Sequence, residues 1–553
     1  MTRTPGDTPS AVSPLAAALT KPEQLEQLPP CSAGCLAGGD VRGWIAIVEQ
    51  RHKLGLSDQE AYARAWDLLA AINPFPATMG RICPHPCETN CSRREKDGAV
   101  AINALERFIG DWALACQIPL PRLEDRGSKP ESIGVIGAGP AGLSFAYQMA
   151  RRGYHVTVYE KEEKPGGMLY YGIPQYRLPE DVLGSEVNRL LDTGIDLKLN
   201  AAIGQTISMT DLRKRHEILF LGIGAGRGLT LGIPGEDGAG TWTGTEYLSQ
   251  VNRGKKPELG TRVVVIGGGN TAIDAARSAR RTGAQVTILY RRTRKEMPAI
   301  DAEIDDALTE GVDIEYLTAP VGISRDKGRV RAVLVQRMEL GEPDGSGRRT
   351  PIAVPDSGYE VPAESVIAAV SQQPDWNGLG ELKPHTAWVE TAADGEWQDG
   401  LWAGGDTLGI GVAGLAIGQG RRAAEAADAR LRGLESCTAS HRPTLSGTAI
   451  KADFFPEIKR VPSERKPARE WLAFPDEEIQ GTISEQQFLR EVSRCFSCGD
   501  CFGCEQCFMY CNAHGLVRLE HVVPGSYFAL NLDLCQACRK CIELCPCGFL
   551  SPS

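Results

Sequence analysis

Eleven of the chain's 18 cysteines fall between residues 485 and 553. A segment that short builds little apolar core, so bound metal has to organise it. The whole chain has 553 residues, 42% hydrophobic and 24% charged, as expected of several packed globular domains. No apolar run reaches the ~18 residues of a membrane span. The formal charge of −10 argues against a general nucleic-acid binder. The opening MTRTPGDTPSAVSPLAAALTK has neither a signal peptide's apolar stretch nor the Arg content of a transit peptide. A reducing, cytoplasmic setting is therefore expected, where disulfides are rare and clustered cysteines read as metal ligands.

Eight of those eleven cysteines repeat one spacing. Cys501, Cys504, Cys507 and Cys511 run as C-x2-C-x2-C-x3-C, and Cys535, Cys538, Cys541 and Cys545 repeat it, followed by Pro546. Thiolates are soft ligands suited to iron–sulfur cubanes. The spacing is that of bacterial two-cluster ferredoxins, in which the fourth cysteine of each run crosses to the other cluster. The expected ligand sets are Cys501, Cys504, Cys507 with Cys545, and Cys535, Cys538, Cys541 with Cys511. Asn512 stands where the first run would have its proline, which removes no ligand. Structural zinc, the competing reading, favours C-x2-C pairs separated by a loop.

The rest of the chain divides by pattern. Residues 1–27 read as a mobile tail and 28–125 as a helical domain with five cysteines. Residues 126–435 alternate buried strands with helices, the mark of parallel α/β architecture. Within them, 126–250 and 365–435 are expected to form one nucleotide-binding domain and 251–364 a second one inserted into it. Residues 436–484, rich in Pro and charge, read as a linker. Residues 485–553 are expected to be an α+β ferredoxin-like domain.

Two segments carry dinucleotide signatures. In ESIGVIGAGPAGLSFAYQMARRGYHVTVYE a strand leads into Gly137, Gly139 and Gly142, and a helix follows at once. Such glycines allow a tight turn, close approach of a pyrophosphate, and close helix–strand packing. The helix N-terminus then faces phosphate. The next strand ends in Glu160, placed to accept hydrogen bonds from ribose hydroxyls. The second signature has Gly267, Gly269 and Ala272, and its second strand ends in Tyr290 followed by Arg291 and Arg292. No acid fills the ribose position. Arg there suits a 2′-phosphate, favouring NADP(H) over NAD(H); a solvated surface pair is the plainer alternative. A third segment, LWAGGDTLGIGVAGLAIGQGRRAAEAA, sets Gly405 and Asp406 after a strand and before a helix.

In order, PGGML, YGIPQYRLP, LGIPGED, GGGNTAIDAA, YRRTRKEMPA and AIGQGRRAA resemble the glutamate synthase small (β) subunit. They are also similar to the N-terminal electron-input half of dihydropyrimidine dehydrogenase, and the resemblance covers residues 28–430. It implies an FAD domain with an NADPH domain inserted. FAD would lie on Gly137, Ala138, Gly139, Pro140, Ala141, Gly142, Glu160, Lys161, Gly167, Met168, Arg177, Gly405, Asp406, Val412, Ala413 and Leu415. NADPH would lie on Gly267, Gly269, Asn270, Thr271, Ala272, Arg291 and Arg292.

The resemblance also bears on the N-terminal cysteines. Cys83, Cys87 and Cys91 in GRICPHPCETNC match the family's downstream ligands, and Cys35 is expected to complete that set. The family's opening RCxxCG pair is absent there, which orphans Cys31. Arg494-Cys495-Phe496-Ser497-Cys498-Gly499 is similar to that pair, transplanted ahead of the ferredoxin-like run. The related dehydrogenase takes a side-chain oxygen as one ligand, and Glu106 falls at the matching position. A cluster on Cys31, Cys495, Cys498 and Glu106 is therefore expected, stapling the two ends of the chain; unligated thiols and a surface carboxylate are the alternative. Cys116 and Cys437 read as structural thiols, and Cys547 as a neighbour of a ligand.

These parts compose an electron relay from NADP(H) through FAD to three or four [4Fe-4S] clusters, with no acid–base pair or nucleophile required. With no recognisable substrate domain, the expected partner is a redox protein or the catalytic subunit of a hetero-oligomeric complex, such as a 2-oxoacid oxidoreductase or a ferredoxin. The alternatives are a true glutamate synthase small subunit and a scaffold whose clusters only stabilise the fold.

Overall fold

The computed structural model of the chain describes residues 21–24, 27–123, 127–345, 347–435 and 442–552. Most of the expected tail and Cys437 lie outside the described residues. Among the described residues no helix is long and apolar enough to cross a membrane.

Two sheets hold the centre. The first is ordered Glu396–Gln398, Leu401–Ala403, Ile218–Leu221, Ser132–Ile136, His155–Tyr159, Asp196–Lys198. All its pairs but the first are parallel. The interior strands SIGVI and ILFL are almost wholly buried, as strands covered on both faces must be. The helix Pro140–Ala150 covers one face, where Phe145 stacks on Phe220 with ring centroids 4.4 Å apart.

The second sheet is ordered Asp313–Tyr316, Gln285–Tyr290, Arg262–Ile266, Ser365–Ala368, Thr241–Thr243, and is parallel throughout. Its strands fall in the chain between those of the first sheet. The expected boundaries at 250 and 365 need correction, because Thr241–Thr243 and Ser365–Ala368 both belong to this second sheet. Ser365–Ala368 is buried at all four positions beside Arg262–Ile266, and only the sheet's interior offers that cover. An antiparallel layer of Thr318–Asp326, Arg329–Pro343, Arg349–Ala353 and Tyr359–Pro362 is appended to this unit.

Helices Val41–Glu49, Asp58–Ile72, Pro76–Ile82 and Ile102–Ala115 build the N-terminal domain. Asp58–Ile72 starts on a full capping box between Ser57 and Glu60. The helix Glu485–Val492 belongs here and not, as expected, to the C-terminal domain. Its Phe488 and Val492 are fully buried, and Phe488 stacks on Phe108 at 4.1 Å and meets Tyr62 edge-on. The C-terminal module is a hairpin of Leu516–Val523 and Ser526–Leu530 with the short helices Gln506–Met509 and Lys540–Leu544. The last strand, Leu550–Pro552, pairs antiparallel with Pro22–Gln24, so these residues of the expected tail are part of the fold. Residues 442–484 run over the surface and contribute Trp471 and Ile479 to a small core with Tyr176.

Candidate functional site

The first glycine loop joins Ser132–Ile136 to the helix Pro140–Ala150. Gly137 sits at φ +100°, and a Cβ there would lie 2.4 Å from the carbonyl of Gly222, so only glycine fits. Gly139 heads a helix that has no side-chain cap, which leaves its first N–H groups for a ligand. Glu160 is buried and accepts N–H groups of Ala138 (2.7 Å) and Glu162 (2.9 Å), which tie the acid to the loop. Burial pushes its carboxyl up. Gly167 backs onto Gly139, and Met168 opens the short helix Met168–Tyr171. The third segment closes the same site. At Gly405 (φ +71°) a Cβ would stand 2.9 Å from that of Ala141. Asp406 accepts the N–H of Gly411 at 3.0 Å. The helix Ala413–Leu431, preceded by Val412 and carrying Leu415, likewise starts without a side-chain cap. Two bare helix N-termini, a glycine cradle and a buried acid fit a dinucleotide's pyrophosphate and ribose.

Two expected residues are placed elsewhere. Lys161 is half-exposed and pairs with Asp375 at 3.5 Å. Arg177, expected on FAD, has its guanidinium buried on Asp274, with two contacts of 2.8 Å, and beside Glu303 at 3.2 Å. It is an ion-pair bolt between the two nucleotide-binding units, because the helix Asn270–Arg281 brings Asp274 to it.

The second loop repeats the geometry. Gly269 heads Asn270–Arg281, again without a side-chain cap; Ala272 is fully buried beneath, and Thr271 packs against Gly244. Asn270 accepts the N–H of Ile300 at 3.0 Å, which fixes the segment after the arginines over the loop. Arg292 departs from expectation. It is 4% exposed, donates to the carbonyl of Arg349 at 2.6 Å and pairs with Asp344 at 2.7 Å. The appended hairpin has taken it. Arg291 is exposed and pairs with no carboxylate among the described residues.

The N-terminal cysteines are grouped differently from expectation. Cys31, Cys91, Cys495 and Cys498 line one pocket, with Arg42 and Ser92. Glu106 lies instead with Cys35, Cys83 and Cys87. Burial first, then the Glu106 charge, raises all three thiols, Cys83 to about 12. Glu106 itself is pushed up to about 7 by enclosure, while Asn73 donates to it at 2.7 Å. Cys91 and Glu106 have thus exchanged sets. The short helix Pro86–Thr89 carries Cys87 and ends before Cys91, and the two cysteines face different groups.

In the C-terminal module Cys511, Cys535, Cys538 and Cys541 line one pocket. Cys507 is raised to about 12 by burial and then by the nearby Cys501, Cys504 and Cys545. Cys547 lies 3.8 Å from Cys545, sulfur to sulfur.

These pockets fit clusters. Backbone N–H groups donate to the sulfurs of Cys35, Cys83, Cys495, Cys511 and Cys535 at 3.3–3.4 Å, as thiolate ligands require. One device was not legible from residue spacing. Every Cys-x-x-Cys loop holds one left-handed residue: Ser497, Gly503, Glu505, Ala537 or Arg539. Four of these are not glycine, a strain that functional sites accept in order to aim groups. Among the described residues no three His, Cys, Asp or Glu are arranged to hold a single metal ion.

Residues 131–429 match the family model described as pyridine nucleotide-disulphide oxidoreductase. Residues 26–118 match that described as dihydropyrimidine dehydrogenase domain II, 4Fe-4S cluster. The first match takes in more than half of the chain, which therefore belongs to the pyridine nucleotide-disulphide oxidoreductase family. The NADP(+)-dependent formate dehydrogenase subunit beta of Moorella thermoacetica is 37% identical over 453 residues, 76% of this chain and 62% of that protein. The NADPH-Fe(3+) oxidoreductase subunit beta of Geobacter sulfurreducens is 38% identical over 353 residues, 63% of this chain and 51% of that protein. The glutamate synthase [NADPH] small chain of Azospirillum brasilense is 34% identical over 423 residues, 72% of this chain and 85% of that protein. The chain spans between half and two thirds of the length of the first two. The likeness to the glutamate synthase small chain read from the motifs holds.

Proposed function

We propose that the chain is an electron-transfer subunit of an NAD(P)H:acceptor oxidoreductase, binding FAD, NADP(H) and four [4Fe-4S] clusters. The observation that carries this reading is an unbroken series of sites. The first and third glycine segments form one cradle, and the second stands next to it across the Arg177–Asp274 bolt. Residues 36–38 press on the helix Ala413–Leu431, since a Cβ at Gly418 would lie 2.5 Å from the carbonyl of Leu36. That contact brings the Cys35, Cys83, Cys87 and Glu106 set against the flavin unit. Cys31 follows four residues before Cys35, Cys501 three after Cys498, and Cys541 acts on Cys507.

FAD held there would supply the conversion between the hydride of NADPH and the single electrons that cubanes accept. The chain's own part is to bind and orient. The bare helix N-termini hold phosphates, Glu160 the flavin ribose, and Arg291 the 2′-phosphate. The four ligand sets are Cys35, Cys83, Cys87 and Glu106; Cys31, Cys91, Cys495 and Cys498; Cys501, Cys504, Cys507 and Cys545; and Cys511, Cys535, Cys538 and Cys541. The names of the relatives, two beta subunits and a small chain, support a partner subunit at the far end. A 2-oxoacid oxidoreductase or a ferredoxin suits that place. The thiol content suits a cytoplasmic setting.

Anaerobically prepared protein should bleach on addition of NADPH and hold about 16 iron atoms per chain, four per cubane. About 12 removes one proposed cluster; a flavin spectrum unmoved by either nucleotide ends the reading.

A further inference from the structure

We propose that Arg42 donates its Nε–H to the cluster held by Cys31, Cys91, Cys495 and Cys498, and so raises that cluster's reduction potential above that of its neighbour at Cys35, Cys83, Cys87 and Glu106. The inference rests on the cluster sets of the proposed function. Arg42 lies on the helix Val41–Glu49 and lines the pocket formed by those four cysteines. Its Nη1 donates to the carbonyl of Cys498 at 2.9 Å. Its Nε is buried and makes no hydrogen bond, and the carboxylate of Asp500 stands at 3.6 Å, beyond bonding reach. A buried guanidinium N–H left unmet is costly, so an acceptor belongs there. Cluster and cysteine sulfurs are the acceptors that this pocket would hold.

The charge of Arg42 is also the one least spent at that wall. Arg93 lines the pocket too, but donates to Asp97 and to the carbonyls of Arg494 and Pro456, with its face on Phe496. Glu49, the opposing carboxylate near Cys495, has Lys53 and Arg51 beside it. The neighbouring set has the opposite sign beside it, with Glu106 among its cysteines, while Glu88 close by is paired with Arg460 at 2.6 Å. One-electron reduction adds negative charge without making or breaking a bond. A guanidinium favours it and a carboxylate opposes it. The Cys31 set then becomes the station that holds an electron between the flavin unit and the C-terminal module.

The test uses the full chain with clusters assembled under anoxia, each midpoint followed by EPR redox titration. The signal missing from Cys31→Ser identifies the cluster. Arg42→Gln is expected to lower that midpoint by at least a tenfold change in the reduced-to-oxidised ratio, about 59 mV for one electron. Asp500→Asn, which leaves Arg42 less neutralised, is expected to raise it. Unmoved midpoints with full iron content overturn the inference and leave the proposed function standing. A wild-type chain with no cluster at Cys31 overturns both. If Arg42→Gln sheds the cluster, the sign of the shift in Asp500→Asn decides.

Discussion

The two iron–sulfur regions are built on opposite plans. In the C-terminal module both sets come from residues 501–545, and their walls reach solvent. Cys538 is exposed, and Met509 and Tyr510 are 68% and 50% exposed. At the junction, Cys31 and Cys91 meet Cys495 and Cys498 from the far end of the chain, in a segment whose Arg494 and Glu491 are fully buried. A set closed by near neighbours organises only its own loops. A set closed across the chain is a staple, and its metal-binding free energy becomes folding free energy for everything it joins.

The largest expected effect follows directly. Cys495→Ser with Cys498→Ser should remove about four irons and loosen the join between the two ends of the chain. Limited proteolysis should then cut within residues 442–484 faster than in the unsubstituted chain, where the staple is expected to protect them. Cys538→Ser should cost at most its own cluster and leave that protection intact. Equal proteolysis of the two variants would erase the distinction.

Next comes the protein wall of the staple. Arg494 donates to Glu491, Asp97 and the carbonyls of Ile458, Ala99 and Gly98. Glu491 in turn accepts the N–H groups of Ala101 and Val461. Removing one partner of a buried pair leaves an uncompensated charge, so Arg494→Met should destabilise the junction by about 3–5 kcal/mol. Hydrogen exchange in the helix Glu485–Val492 should rise while the Leu516–Val523 hairpin stays unchanged. A uniform rise across both would show one cooperative unit instead of two.

The same division governs what the sequence made legible. The C-terminal sets and both glycine loops could be read because strand, turn, helix and ligands lie within a few tens of residues. The RCxxCG-like stretch at 494–499 pointed to a join between the ends, since its partner Cys31 was otherwise left over. The exchange of Cys91 and Glu106 was not legible: spacing does not say which wall of a pocket a short helix such as Pro86–Thr89 turns each cysteine towards. The contacts of Arg177 and Arg292 were not legible for the same reason. Their partners, Asp274 and Asp344, lie 97 and 52 residues away, and only the fold brings them in.

Where the N-terminal helices meet the flavin unit, a carboxyl is enclosed on the helix Glu180–Leu191. Glu186 is fully buried and accepts the N–H groups of Ala77 and Thr78 at 2.7 and 2.9 Å, at the start of Pro76–Ile82. Burial raises its carboxyl from 4.5 to about 7. The native state therefore holds a proton that the unfolded chain releases. The stability this gives is full below about pH 4.5 and is lost as pH rises to about 7, roughly 3 kcal/mol in all. Protection of the Pro76–Ile82 amides, corrected for intrinsic exchange, should fall across that window and stay flat above it. In Glu186→Gln the slope should vanish; a slope that persists would place the titration elsewhere.

The smallest effect tests the plan within a nucleotide site. Arg291 and Arg292 are neighbours in sequence, yet one faces solvent beside the loop and the other is held by a hairpin arriving from residues 329–353. A charge-assisted contact to a 2′-phosphate contributes about 1.5–3 kcal/mol, so Arg291→Gln should raise the KM for NADPH roughly ten- to hundredfold and leave NADH unchanged. Arg292→Gln removes the Arg292–Asp344 ion pair and the bond to the carbonyl of Arg349, so it should weaken the hairpin and lower thermal stability with no change in the NADPH-to-NADH ratio. If Arg292→Gln shifts that ratio as much as Arg291→Gln does, the hairpin releases its arginine when nucleotide binds, and the local reading of the pair is restored.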